Sequence, residues 1–169
     1  MTDTTAPEEE FLRLDRQICF SLNAASRAFG SVYRLALKDL GLTYPQYLVM
    51  LVLWEHGELP VKRIGALVRL DSGTLSPLLK RLEAAGLVRR ERLATDERSV
   101  AVRLTPEGAA LRTTALRVPR AIAGATGLRL DEIEDLRERL GRLTEALDRA
   151  AAEGLTDPST GGVEPSSRG

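Results

Sequence analysis

A chain of 169 residues with 24 Lys and Arg against 24 Asp and Glu is neutral overall, and with 43% hydrophobic residues it can bury one core. No apolar run approaches the ~20 residues that span a bilayer, and the acidic start Glu8-Glu9-Glu10 is unlike a secretory leader, which predicts a cytoplasmic protein without a membrane segment. One cysteine and one histidine exclude an internal disulfide and a multi-cysteine metal site, so no cofactor is expected.

Residues 1–9 are polar and predict a disordered tail ahead of a domain over 10–152. From Phe11 the apolar residues Phe11, Leu14, Ile18, Leu22, Ala25, Phe29 and Val32 recur at steps of three or four, predicting one helix of about seven turns that reaches about Leu37. Gly41 ends this run. Thr43 with Gln46 three residues on fits a capping box with Pro45 in the first turn. The helix that follows, Gln46 to Glu55, is apolar nearly all round and must lie in a core or at an interface.

Val61, Ile64, Leu67 and Val68 predict a short amphipathic helix, joined by the tight link Arg69-Leu70-Asp71 to a second one. In that second helix Asp71 or Ser72 supplies the cap, and Leu75, Leu78, Leu79 and Leu82 form a single buried stripe. Its other face carries Ser72, Thr74, Ser76, Pro77, Lys80 and Arg81. Pro77 is expected in the first turns, at no loss of a helical hydrogen bond. Gly86 stops the helix. Leu87 to Glu91 and Val100 to Leu104 read as two strands, with a turn over residues 93–98 between them. Two helices and a hairpin in this order predict a winged helix-turn-helix.

The local charge agrees with a nucleic-acid surface. Residues 60–105 hold ten Lys and Arg against five Asp and Glu, whereas residues 1–59 hold five against eight and residues 106–169 nine against eleven. A focused positive block, joined to a helix N-terminus studded with hydroxyls, suits phosphate. A solvated basic surface is the plain alternative for the charge alone.

Thr105-Pro106-Glu107 predicts a further helix that Pro119 should kink or end, and 121–129, with two glycines, is ambiguous. Asp131 is expected to cap a last helix in which Ile133, Leu136, Leu140, Leu143 and Leu147 make a heptad-like seam. The class is therefore mainly α: a DNA-binding head over about 60–104, with dimerisation helices over about 11–39 and 105–152. Residues 153–169, rich in Gly, Pro and Ser, predict a disordered tail.

Cys19, on the first long helix, is either a small buried hydrophobe or a reactive thiol. Reactivity needs thiolate, which hydrogen-bond donors and nearby cations favour. Arg16 lies one turn earlier, and Tyr33, Tyr44 and Tyr47 are the uncharged donors to consider. Tyr33 is fourteen residues along the same helix, roughly 21 Å at ~1.5 Å per residue. Only the Tyr33 of a second, antiparallel copy could reach this cysteine.

The segments Leu14-Asp15-Arg16-Gln17-Ile18-Cys19-Phe20, Leu42-Thr43-Tyr44-Pro45-Gln46-Tyr47, Leu53-Trp54-Glu55-His56, Leu70-Asp71-Ser72-Gly73-Thr74-Leu75 and Asp96-Glu97-Arg98-Ser99-Val100 resemble the MarR family, and within it the organic-hydroperoxide-sensing OhrR branch. The resemblance runs from about Phe11 to Ala150. It implies a homodimeric repressor on pseudo-palindromic operator DNA, whose N-terminal cysteine is oxidised by organic hydroperoxides. It also implies that Cys19 is hydrogen-bonded by Tyr33 and Tyr44. Asn23 stands where some members carry a third tyrosine, and with no second cysteine the chain is of the one-cysteine type. The oxidised thiol is then left to a small thiol or to a higher acid.

On this reading Ser72, Thr74, Ser76, Pro77, Lys80 and Arg81 face a major groove, while Arg98, oriented by Asp96, enters the minor groove from the wing. Two other readings compete. One is a MarR-type repressor released by a small aromatic acid, with Cys19 as packing. The other is a thiol enzyme reducing peroxide, which lacks a base beyond His56 and a resolving thiol. The chain is therefore expected not to be an enzyme.

Overall fold

The structure, a computed structural model, describes residues 8–93 and 96–154, with the side chains of Glu8, Glu9 and residues 93–99 outside that description. Both predicted tails lie almost wholly outside the described residues. Among the described residues there are seven α-helices: α1 (Ile18–Ala36), α2 (Tyr44–His56), α3 (Val61–Val68), α4 (Ser72–Ala84), α5 (Pro106–Ala115), α6 (Arg117–Thr126) and α7 (Leu130–Glu153). With them is a sheet of β1 (Leu59–Pro60), β2 (Val88–Leu93) and β3 (Asp96–Leu104), antiparallel in the order β1-β3-β2. The chain divides into two compact units, Met1–Ala125 and Thr126–Gly169.

The core of the first unit is continuous. Val49, Met50 and Leu53 of α2, Ile64 of α3, the stripe Leu75, Leu78, Leu79 and Leu82 of α4, and Val88 and Val102 of the sheet belong to one buried cluster, completed by Ala115, Val118 and Ile122. The helix-turn-helix closes tightly. Arg69 ends α3 in the left-handed region at φ +56°, and the Leu70 N–H donates to the Gly65 carbonyl at 3.0 Å. A Cβ on Gly65 would stand 2.9 Å from the Leu70 carbonyl oxygen, so the turn requires glycine there.

Asp71 caps α4, its Oδ1 accepting from the Thr74 N–H at 2.9 Å. The Thr43 N–H donates to Gln46 Oε1 at 2.9 Å, the expected link at the start of α2. Gly86 ends the α4 segment at φ +73°, a conformation that favours glycine.

Several expectations are corrected. The helix from Phe11 does not form as one rod: two 3₁₀ helices, Glu8–Leu12 and Leu14–Arg16, precede α1, and Gln17 between them and α1 is extended at φ −83°, ψ 111°. A three-residue step is one turn of 3₁₀ as well as nearly one of α, so spacing alone did not separate them. The Gln17 amide fixes the break by donating to the carbonyls of Phe11 and Arg13.

Pro77 is the sixth residue of α4, not in its first four, so its missing N–H does remove the helical bond to the Gly73 carbonyl. Residues 96 and 98 belong to β3 rather than to a turn, Leu93 pairing with Asp96 across an irregularity next to Arg92. The two-residue strand β1, paired through Leu59 with Val102, carried no signal in the sequence.

The helix opened by Thr105 does end ahead of Pro119: α5 stops at Ala115, whose carbonyl the missing Pro119 N–H would otherwise bond, and Pro119 sits third in α6. The cap of α7 is Arg129, not Asp131. Its N–H donates to Glu132 Oε2 at 2.9 Å, while Asp131, inside the first turn, pairs with the Arg129 guanidinium at 2.6 Å.

Candidate DNA interface and cysteine site

The leucine stripe of α4 turns its other face to solvent. Ser72, Thr74, Ser76, Pro77, Lys80 and Arg81 are all exposed. Thr74 is committed locally as well, since its Oγ1 donates to Asp71 Oδ2 at 2.8 Å. These two bonds from Thr74 hold the Asp71 carboxyl below the usual carboxylate range. Lys62 and Arg63 of α3 and Arg89 and Arg92 of β2 are exposed too, so the cations of the head stand at its surface.

An ion pair ties α4 to the wing. Glu83 Oε2 accepts from Arg90 Nε at 2.8 Å and Glu83 Oε1 from the Arg90 backbone N–H at 3.0 Å. Both side chains are partly buried, and the pairing holds the Glu83 carboxyl below its ordinary range. Sequence reasoning passed over Glu83, although an acid just beyond the leucine stripe and an arginine-rich strand after the glycine stop were a readable signal. Asp96 and Arg98 have their backbones in β3, and the side chains on which their predicted groove contacts depend lie outside the described residues.

A second fastening lies behind the wing. Thr105, buried, donates through Oγ1 to the Gly86 carbonyl at 2.6 Å and accepts from the Gly108 N–H at 3.0 Å. Its own N–H donates to the Leu87 carbonyl at 3.1 Å. A Cβ on Gly108 would fall 2.0 Å from the Leu87 carbonyl oxygen, so α5 can approach the start of β2 only as glycine. The Trp54 indole Nε1–H donates to the Gly108 carbonyl at 2.9 Å. Neither Gly108 nor Trp54 was singled out from sequence, because these contacts are far apart along the chain.

Cys19 lies in the first turn of α1, exposed, rather than inside a long helix. Asn23 is one turn further on the same helix and also exposed. Arg16 is not one helical turn before Cys19: the extended Gln17 intervenes, and the Arg16 guanidinium is 4.0 Å from Glu10.

Tyr33, at the far end of α1, meets Tyr44 at the start of α2, with ring centroids 4.4 Å apart, and Tyr47 at 6.1 Å. Burial, then the neighbouring Tyr44 and Tyr47, pushes the Tyr33 hydroxyl up to about 12, so it stays a neutral donor across the physiological range. The structure therefore brings Tyr33 of α1 and Tyr44 of α2 together, at the end of α1 opposite to the Cys19 of the same chain.

Among the described residues no helix is long and apolar enough to cross a membrane, and no group of three or more His, Cys, Asp or Glu is arranged to hold a metal.

Known proteins share this architecture. The family profile of the transcriptional regulators SarA/Rot matches residues 31–113. The chain is 50% identical over 138 residues to the HTH-type transcriptional regulator TtmR of Methylorubrum extorquens (strain PA1), covering 82% of this chain and 71% of that one. It is 44% identical over 138 residues to the organic hydroperoxide resistance transcriptional regulator of Bacillus subtilis (strain 168), covering 82% and 94%. Among solved structures, reduced AbfR bound to DNA matches with a TM-score of 0.70 at 39% identity, over 83% of this chain and 99% of that one. AbfR is a protein of Staphylococcus epidermidis, and its overoxidized form has also been solved bound to DNA.

Proposed function

The chain belongs to the MarR family of winged-helix transcriptional regulators, and from that premise we propose that it is a homodimeric cytoplasmic repressor that leaves its operator when an organic hydroperoxide oxidises Cys19. The observation that carries the reading is the 44% identity, over most of both chains, to an organic hydroperoxide resistance regulator. The accessible Cys19, and the contact of Tyr44 with Tyr33, whose hydroxyl stays protonated, support it.

The chemistry is stoichiometric, and the protein is not an enzyme. The thiolate sulfur of Cys19 attacks the distal peroxide oxygen, the O–O bond breaks, and the alkoxide leaves with a proton as the alcohol. Sulfur loses two electrons and becomes sulfenic acid. A small thiol then condenses with it, releasing water and forming a mixed disulfide. Tyr33 and Tyr44 of a second copy, with Asn23 and Arg16 of the same chain, are the groups assigned to orient the sulfur. Because overoxidized AbfR has been solved on DNA, the bulky mixed disulfide is assigned as the releasing product, in preference to the higher acid.

On DNA, Ser72, Thr74, Ser76, Pro77, Lys80 and Arg81 of each copy enter a major groove, and Arg98, oriented by Asp96, enters the minor groove from the wing. Footprints of the complex should protect two half-sites centred ~10 bp apart.

In a gel-shift assay with cumene hydroperoxide and free cysteine, wild type should be released by about a hundredfold or more, which corresponds to ~3 kcal/mol. Cys19→Ser protein should bind DNA equally well and stay bound. Release of Cys19→Ser, or retention of wild type once mass spectrometry shows Cys19 modified, would sink the reading and favour release by a small aromatic acid instead.

A further inference from the structure

Four aromatic rings form a continuous ladder from the proposed sensor into the head. Tyr44 meets Tyr33, Tyr33 meets Tyr47, and Tyr47 meets Trp54 edge-on, with ring centroids 6.3 Å apart and planes at 67°. Tyr44 and Trp54 stand near opposite ends of α2, roughly 15 Å apart along a stiff rod. Beyond Trp54 the ladder becomes a chain of hydrogen bonds. Indole N–H to Gly108 carbonyl, Gly108 N–H to Thr105 hydroxyl, and Thr105 hydroxyl to Gly86 carbonyl lead to the residue that ends the recognition helix.

Each link is stiff for a stated reason. Gly108 packs backbone to backbone on Leu87, in a gap that a Cβ would overfill, so α5 is seated closely on the start of β2. Thr105 holds both Gly86 and Leu87, so the wing and the end of α4 move with α5. Trp54 supplies a side-chain hydrogen bond from α2 to this assembly. The Gly108 carbonyl, inside α5, also has the helix's own donor four residues on. Its bond to Trp54 is therefore not needed to satisfy it, which leaves that bond free to set where α5 sits along α2.

We propose that Trp54 is the positioning residue that transmits a change at the Tyr33–Tyr44–Tyr47 cluster to the junction of recognition helix and wing. This role depends on the hydroperoxide reading above. When oxidised Cys19 of one copy displaces the tyrosines of the other, α2 shifts, the indole drags the Gly108 carbonyl, and Thr105 carries the shift to Gly86. Trp54→Phe keeps the ring and removes the donor; Tyr47→Leu keeps the donor and cuts the ladder.

The chain holds a single tryptophan, so its fluorescence reports this site alone. In full-length wild type without DNA, oxidation by cumene hydroperoxide and cysteine should change the Trp54 emission, and in Tyr47→Leu that change should be lost. On operator DNA, reduced Trp54→Phe should bind within about threefold of wild type, while its release on oxidation falls from roughly a hundredfold to under tenfold, a loss within the usual range of coupling between sites. Wild type that is released with its emission unchanged, or Trp54→Phe released as fully as wild type, overturns the assignment and leaves the hydroperoxide reading standing. Wild type that is not released at all, with Cys19 modified, removes both. If Trp54→Phe fails to fold, the emission of wild type and Tyr47→Leu still decides.

Discussion

The recognition helix and the long helices α1 and α7 are all amphipathic, yet their apolar stripes stand at different exposures. On α4, Leu75, Leu79 and Leu82 are at most 1% exposed. On α7, Leu136, Leu140 and Leu147 repeat with the same regularity and stand 42%, 36% and 58% exposed. Neither α1 nor α7 contains a buried residue. At about 25 cal/mol per Å² of apolar surface, a stripe of leucines left in water forfeits several kcal/mol that a partner surface would recover. The head is thus a finished reading device, and in the proposed function a second copy covers the flanks. In the proposed function the sensor belongs to the unfinished part, because Cys19 and Tyr33 lie too far apart on α1 to meet within one chain.

Substitutions can break or sharpen this contrast. The largest effect is expected inside the head. Gly108→Ala drives a Cβ against the Leu87 carbonyl oxygen, where no side-chain rotation relieves it, and should cost at least about 3 kcal/mol in urea unfolding. A loss under about 1 kcal/mol would mean that α5 can lift from β2.

Next comes a matched pair. Leu79→Ala in the core should cost about 2–5 kcal/mol at any protein concentration. Leu140→Ala on α7 should instead raise the dimer dissociation constant by roughly tenfold or more in analytical ultracentrifugation, each tenfold being about 1.4 kcal/mol, with the cost growing on dilution. If Leu140→Ala leaves the dimer unchanged, the α7 seam is not part of the interface.

The smallest effect concerns the clamp within the head. Arg90 lowers the Glu83 titration, so the pair contributes stability that is present above the unfolded value near pH 4.3 and is lost as pH falls through the lower folded value. Wild type should exceed Glu83→Gln at pH 7 by under about 1 kcal/mol, because both side chains are about a third exposed, and the gap should close as the pH falls through the lowered Glu83 titration. A gap of the same size at pH 3 would assign it to packing instead of charge.

The head was legible because its signals are local. The Asp71 cap, the leucine stripe of α4, the Gly86 stop and the Thr43–Gln46 link each involve residues within a few positions of one another. The exposed face expected to meet DNA follows from the buried stripe opposite it. What escaped was nonlocal. Strand β1 is two residues long and exists through its pairing with β3, and the Trp54–Gly108 bond spans 54 positions. The N-terminal helix was overextended because apolar spacing reports a face and not a helix type, and the Gln17 amide that divides it acts through backbone carbonyls. Of the cysteine site, the distance that separates Cys19 from its own Tyr33 could be read from helix geometry, whereas the meeting of Tyr33 with Tyr44 needed the packing of α1 on α2.

The strand order β1-β3-β2 leaves two edges open to water, and an open edge can template another chain into a growing sheet. One edge is two residues long and includes Pro60, which has no N–H to offer a newcomer. The other, β2, carries Arg89, Arg90 and Arg92, so an identical strand approaching it meets its own charge. Heads crowded together in a cell are thereby discouraged from joining into aggregates, and the cations that draw the wing toward phosphate also act as its gatekeepers against self-association.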